Sequence, residues 1–144
     1  MDNMEKKYKY AQLMTKLKKA TYNEYYYEAI FIEYAILEER TRSMLEHAKV
    51  FKDIDKCTLN VKLNKLKSNK IFQDKYIQKH LTKELLDEIY DWKNQRNKLM
   101  HDIIKTDYDN EKVKTLALNG ECLAKKLNNK SKLINNYFDK KYEK

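Results

Sequence analysis

The chain contains no proline and only one glycine among its 144 residues. These two residues are the strongest breakers of regular secondary structure, so their scarcity favours long, uninterrupted elements. Residues with high helix propensity, such as lysine, glutamate, leucine and alanine, are abundant instead. The composition therefore predicts an all-α fold, and the length predicts a single domain over residues 1–144.

The chain also lacks features of membrane, secreted and metal-binding proteins. It has no run of about 18 apolar residues, and its first residues are polar rather than a hydrophobic signal core. Cys57 and Cys122 have neither metal-ligand spacing nor the number needed for a disulfide framework. His47, His80 and His101 show no ligand spacing either. We therefore expect a cytoplasmic protein with reduced thiols, which binds no metal, no cofactor and no membrane.

Several catalytic motifs are absent as well. The sequence has no glycine-rich phosphate loop, no His-Glu-x-x-His pair and no nucleophile elbow. Nucleotide hydrolysis by a P-loop, zinc catalysis and acyl-enzyme chemistry therefore have no support in the sequence.

The net charge of +9 is unevenly distributed. Residues 1–20, 49–70 and 121–144 carry +4, +5 and +4, whereas residues 21–48 carry −4. Basic segments around a more acidic middle favour a polyanionic partner such as RNA or DNA. An AT-rich genome enriches lysine, asparagine, isoleucine and tyrosine and explains the same composition, so both interpretations stay open.

Hydrophobic periodicity predicts a compact bundle of four to five helices. Helical patterns cover about residues 4–19, 22–47, 82–104 and 108–137, and residues 59–67 and 70–79 are candidates for additional short helices. Residues 48–57 have no clean period and are expected to form a loop, Thr82 is a predicted N-cap, and residues 139–144 are expected to fray. Gly120 lies inside the last helix, where it marks either a kink or a close contact between helices. The helix over 22–47 is apolar on more than one side, so it is either central or shared with a second chain.

Arg96 lies on the apolar stripe of the helix over 82–104, between Trp92 and Leu99. Burying a charge on such a stripe costs free energy unless a partner group or a ligand interacts with it. Three explanations fit this position. The arginine pairs with a buried carboxylate such as Glu33, it extends to the rim of the core, or its planar fork faces a cavity that holds phosphate.

His101 follows Arg96 by five residues and belongs to the residue type best able to move protons near neutral pH. Taken alone, a histidine late in a helix is usually a surface or capping residue. Positions five apart differ by about 140° around an α-helix and about 7.5 Å along it, so the two side chains do not share a face. Either a local π-type widening brings them together, or two copies of this helix line one cleft across a twofold axis.

The segment from Arg96 to His101 resembles the Arg-x4-His motif of the HEPN superfamily, including the frequent asparagine, here Asn97, directly after the arginine. HEPN domains are small all-α bundles of about this size, with the motif in a late helix and a long earlier helix that supplies an acidic or polar partner. The resemblance implies a HEPN-like fold and a metal-independent endoribonuclease, which would be a toxin or phage-defence effector. It also implies a homodimer whose active site forms at the interface from both motifs.

The residue types fit that chemistry. Attack by the ribose 2′-OH on the phosphate needs a base and an acid, and His101 suits either role. Arg96 suits the stabilisation of negative charge on the phosphorus centre. Under the HEPN interpretation Asn97 would hold the RNA backbone or cap the cleft. Glu33 would orient Arg96 or His101, and Glu38 is the second candidate for that role.

Other interpretations remain open at the level of sequence. Glu33 lies near Arg40 on a helical wheel, so an ordinary salt bridge between them accounts for this glutamate equally well. The chain could also be a non-catalytic helical protein that binds nucleic acid or a partner chain, with Arg96 as a buried structural residue. A further alternative is an antitoxin or immunity component, whereas a toxin would itself have an antitoxin protein as its partner.

Overall fold

A computed structural model describes residues 3–50, 54–103, 105 and 109–143. This part of the chain forms six α-helices and two short 3-10 turns and contains no β-strand. The helices are α1 (Asn3–Tyr22), α2 (Tyr26–His47), α3 (Leu59–Ser68), α4 (Lys75–His80), α5 (Lys83–Asp102) and α6 (Asn110–Tyr142), and the turns are Ile54–Lys56 and Lys70–Gln73. The all-α prediction is confirmed. There are more helices than the four to five predicted, because both short segments, α3 and α4, are helical.

Side-chain caps explain where four of the helices begin. Thr58, Asp74, Thr82 and Asp109 each accept a hydrogen bond from a backbone N–H in the first turn of α3, α4, α5 and α6, respectively. Such caps satisfy donors that have no partner within the helix. The prediction for Thr82 is confirmed. The predicted loop over 48–57 includes the turn Ile54–Lys56, and residues 51–53, 104 and 106–108 lie outside the described part.

Several predicted helix ends were wrong. The segment predicted over 70–79 is divided, because Lys70–Gln73 forms a 3-10 turn and α4 begins only at Lys75. α2 begins four residues later than predicted, because Tyr22 still belongs to α1 and the chain turns at Glu24, whose φ is 62°. α6 continues to Tyr142 instead of fraying from residue 139. Its last turns are held in place by buried Phe138 and by the Tyr142 hydroxyl, which donates to the Ala48 carbonyl at 3.2 Å.

The helix α2 lies at the centre of the bundle. It packs mainly against α6 and also contacts α1, α3 and α5. Ile30, Ile32, Ile36 and Leu37 on α2 are all buried, which explains why the helix is apolar on several sides within a single chain. None of the described helices is both long enough and apolar enough to cross a membrane. This arrangement leaves α5 on the outside of α2 and α6, with its second half at the surface.

Candidate functional site

The two residues of the Arg-x4-His segment lie on one regular helix. α5 is α-helical from Lys83 to Asp102, so the predicted π-type widening is not present between Arg96 and His101. Arg96 is half-buried, whereas 66% of the His101 side chain is exposed and its Nδ1 lies 3.5 Å from Asp102 Oδ1. The regular helical repeat keeps the two side chains about 140° apart. Within one chain they do not converge, and only the two-copy explanation can bring them into one site.

Arg96 is held by an aromatic ring instead of a carboxylate. Its guanidinium carbon lies 4.1 Å from the centroid of the Tyr34 ring on α2, and its Nη1 donates a hydrogen bond to Asn97 Oδ1 at 3.0 Å. Its Nε is buried without a hydrogen-bond partner, and none of the ion pairs in the described part involves Arg96. A cation–π contact orients a guanidinium and stabilises it without neutralising its charge. Arg96 is therefore an oriented, half-buried cation that has no counter-ion among the described residues.

Glu38 is the carboxylate that shares an environment with Arg96. Burial raises the pKa of Tyr34, the negative charge of Glu38 raises it further, and the positive charge of Arg96 lowers it. Both charged side chains therefore act on the same phenol from α2 and α5. Among the two predicted supporting glutamates, Glu38 is the one whose surroundings fit that role.

Glu33 is enclosed in the core between α2, α5 and α6. Its side chain has no exposed surface, and neither carboxylate oxygen has a hydrogen-bond partner within the described residues. Burial, and to a smaller extent the negative charge of Glu121, raises the pKa of Glu33 to about 9. The carboxyl group is therefore protonated at neutral pH and cannot act as a counter-charge for Arg96 or His101. The predicted pairing of Glu33 with Arg96 is not formed.

The alternative salt bridge between Glu33 and Arg40 is not formed either. Arg40 instead lies over the Tyr10 ring of α1, 3.8 Å from its centroid. The sequence does carry a signal for the burial of Glu33. Ile30 precedes it by three residues, and Ile36 and Leu37 follow it by three and four residues. All three are apolar and fully buried. These spacings place Glu33 in the middle of the buried stripe, although a helical wheel also places it near Arg40.

The raised pKa of Glu33 predicts that stability falls as the pH rises. The folded state keeps its proton up to about pH 9, whereas the unfolded chain loses it near 4.5. Between these values the unfolded state binds fewer protons, so the free energy of unfolding decreases by up to about 1.4 kcal/mol per pH unit. Urea unfolding of the wild type and of Glu33→Gln from pH 5 to pH 9 measures this slope. We expect Glu33→Gln to remove it and Glu38→Gln to retain it, and an equal slope in all three proteins would contradict the assignment.

Sequence reasoning missed a partly apolar face of α2 that remains at the surface. Phe31, Tyr34, Ala35 and Glu38 have the spacing of a single helical face, and we refer to them as the α2 ridge. Phe31 is 68% exposed and Ala35 is also exposed, whereas Tyr34 and Glu38 are half-buried. Because Arg96 lies over Tyr34, the α2 ridge borders the candidate site directly. A phenylalanine within an apolar helical pattern is indistinguishable from a core residue until the neighbouring helices are positioned.

A cleft near the end of α5 does not include the motif residues. It has a volume of about 510 Å³, lies between the end of α5 and the start of α6, and is lined by residues such as Gln95, Lys98 and Lys112. Neither Arg96 nor His101 is among its lining residues. No group of three or more potential metal ligands is present in the described residues. The candidate site is thus a half-buried arginine at the surface of the α2–α5 face and not an enclosed pocket.

Comparisons with other proteins add no family to this description. No family model, no curated protein and no solved structure matches the chain. The resemblance to the HEPN superfamily therefore depends on the segment from Arg96 to His101 and on its helical context.

Proposed function

We propose that the protein is a metal-independent endoribonuclease of the HEPN type that acts as a homodimer. The observation that carries this proposal is the state of Arg96, a half-buried cation that is oriented by Tyr34 and has no counter-ion within the described part of the chain. Such a cation is costly unless an anionic ligand completes its surroundings. The planar fork of a guanidinium matches the oxygens of a phosphate, so an RNA backbone is the ligand that we infer.

The α2 ridge supports the homodimer. The aromatic side chain of Phe31 is 68% exposed and lies about one helical turn from Tyr34, which contacts Arg96. Exposed apolar residues next to a charged site are typical of protein–protein interfaces. A twofold contact along the α2–α5 face would bring Arg96 of one copy towards His101 of the other. Such a contact would join the two residues without distorting α5.

In this arrangement the chain itself supplies the groups that RNA cleavage requires. His101 takes the proton of the ribose 2′-OH as general base and then, as the imidazolium, returns it to the leaving 5′-oxygen. The 2′-oxygen forms a bond to phosphorus as the bond to the 5′-oxygen breaks, and Arg96 stabilises the added negative charge. Tyr34 and Asn97 keep the guanidinium in position, and Glu38, whose charge acts on the Tyr34 phenol, is the candidate for a supporting acid. Cleavage of cellular RNA is harmful to a cell, so the role that we infer is a toxin or defence effector, with an antitoxin protein as its partner.

The proposal predicts the products of the reaction. The purified protein should cleave single-stranded RNA in the presence of EDTA, leaving 2′,3′-cyclic phosphate and 5′-hydroxyl ends. An RNA methylated at each 2′-oxygen should not be cleaved, because the nucleophile is blocked. Gel analysis of end-labelled RNA, with and without phosphatase treatment, measures both outcomes. Cleavage that requires a divalent metal or leaves 5′-phosphate ends would overturn the mechanism, and binding without cleavage would favour a non-catalytic nucleic-acid-binding protein.

A further inference from the structure

A second surface, distant from Arg96, carries stacked aromatic rings. Tyr76 of α4 and Tyr137 of α6 are stacked, with their centroids 4.8 Å apart and their planes at 18°. His80 contacts the Tyr76 ring edge-on at 4.8 Å. Tyr137 lies 17 residues beyond Gly120 on α6, which corresponds to about 25 Å along the helix. Gly120 packs against the same helix that carries Arg96, so the two surfaces are well separated.

The rings are held rigidly from one side. The Tyr137 hydroxyl donates a short hydrogen bond to Asp74, which also caps α4 by accepting from the Tyr76 backbone N–H at 2.8 Å. Tyr137 additionally packs edge-on against Phe138 in the core, with centroids 5.6 Å apart. Tyr76 nevertheless stays 38% exposed. It is therefore an ordered aromatic ring that is still accessible to solvent, and another ring could stack on it at little further cost in side-chain entropy.

Four exposed lysines surround these rings. Lys75 and Lys79 flank Tyr76 on α4, and Lys140 and Lys141 follow Tyr137 by about one turn of α6. None of the four takes part in an ion pair within the described part of the chain.

Three carboxylates lie near the four lysines, those of Asp74, Asp139 and Glu143. The hydrogen bond from Tyr137 is the main cause that lowers the pKa of Asp74, and the positive charge of Lys141 makes a small further contribution, so Lys141 lies near the stack. Asp74 is bound by Tyr137, and Asp139 pairs with His47 at 2.6 Å. A hydrogen bond from a neutral phenol leaves the charge of Asp74 in place, so the four lysines give the surface around the stack a small net positive charge.

We propose that this α4–α6 face, formed by Tyr76, His80, Tyr137 and the four lysines, binds a single-stranded polynucleotide. One unpaired base stacks on the open side of Tyr76, and the lysines contact the neighbouring phosphates. Exposed aromatic rings within a basic surface are the recurring means by which proteins hold single strands without reading their sequence. A duplex keeps its bases paired and cannot offer one to Tyr76. The inference goes beyond the proposed cleavage and does not depend on it, because neither Arg96 nor His101 takes part.

Binding of a fluorescein-labelled 2′-O-methyl RNA oligonucleotide, followed by fluorescence anisotropy, tests this proposal. The probe has no free 2′-OH, so a failure of the cleavage mechanism cannot affect the result. We expect Tyr76→Ala to weaken binding by about 5- to 150-fold, the range found for loss of one stacked base, and Tyr76→Phe to leave it unchanged. A deoxyribose strand should bind similarly, because the contacts involve phosphates and base faces.

The charge contribution has a matched control on α1. Lys79→Gln/Lys141→Gln should lower affinity about tenfold and reduce the slope of log K against log salt by about 1.4, the value for two phosphate contacts on a single strand. Lys6→Gln/Lys9→Gln removes the same charge beside Tyr8, which is 66% exposed. Circular dichroism checks that all variants remain folded. Equal losses for the two lysine pairs, equal binding by Tyr76→Ala and Tyr76→Phe, or equal affinity for a duplex would each overturn the proposal.

Discussion

Replacing Arg96 or His101 with alanine is expected to reduce RNA cleavage at least about 100-fold, because each change removes one chemical function. Loss of a general acid or base typically costs about 100- to 10,000-fold in rate, and loss of an electrostatic stabiliser costs a similar factor. The fold should survive both changes, since His101 is largely exposed and Arg96 makes only a cation–π contact and one hydrogen bond. Such changes alter the free energy of unfolding by about 1 kcal/mol or less.

Two control variants separate this effect from a general loss of charge. Lys98→Ala removes an exposed positive charge from the same helix, between the two motif residues, and should retain activity. Arg96→Lys keeps the charge but loses the planar fork and the stacking on Tyr34, so it should remain strongly impaired. Initial rates on a fluorogenic RNA, together with thermal unfolding curves, measure both properties. Full activity in Arg96→Ala and His101→Ala would refute the assignment of both residues.

Gly120→Ala should destabilise the protein by about 1–3 kcal/mol, the usual cost of adding an atom to a packed core. A Cβ at this position would overlap Glu33 Oε1 and lie 2.7 Å from Trp92 Cζ2. Trp92 cannot easily move, because it is buried and its Nε1 donates to the Leu116 carbonyl at 2.8 Å. These contacts outweigh the gain in helix propensity of up to about 1 kcal/mol that alanine would otherwise give.

A double-mutant cycle identifies the cause of that loss. If the Glu33 carboxyl group obstructs the new methyl group, Gly120→Ala should cost less in a Glu33→Ala background than in the wild type. Asn119→Ala, at the exposed neighbouring position, should change the free energy of unfolding by no more than about 0.5 kcal/mol. Denaturant unfolding of the four proteins of the cycle and of the control provides the values. A Gly120→Ala protein as stable as the wild type would show that the three helices have room to adjust.

Much of the fold could be predicted from the sequence because its signals are local. The near absence of proline and glycine, the helical spacing of apolar residues and the cap at Thr82 each depend on neighbouring residues alone. Two of the wrong helix ends depend on a backbone conformation and on a distant contact. α2 starts late because Glu24 adopts a positive φ, and α6 stays helical to Tyr142 because that side chain bonds to Ala48, 94 residues away. Contacts this distant in sequence leave no periodic signal.

The candidate site was less predictable, because burial depends on how three helices pack. Periodicity identified Arg96 as a charge on an apolar stripe, and this position is confirmed as half-buried. It could not show that Tyr34 would lie under the guanidinium, or that Glu33 would be sealed against Gly120 and Trp92. The choice between Glu33 and Glu38 follows from that packing, since a carboxyl group that is protonated at neutral pH cannot balance an arginine.

Mixing two inactive variants tests most directly whether the active site is shared between two copies. In a mixed dimer of Arg96→Ala and His101→Ala, one Arg96 and one His101 from different chains still face each other across the interface. After joint unfolding and refolding in equal amounts, the mixture should therefore recover about a quarter of the wild-type cleavage rate, because half of the dimers are mixed and each has one intact pair. Neither variant refolded alone should recover activity. The shared site would be contradicted if the wild-type protein cleaves RNA but the refolded mixture is as inactive as each variant alone.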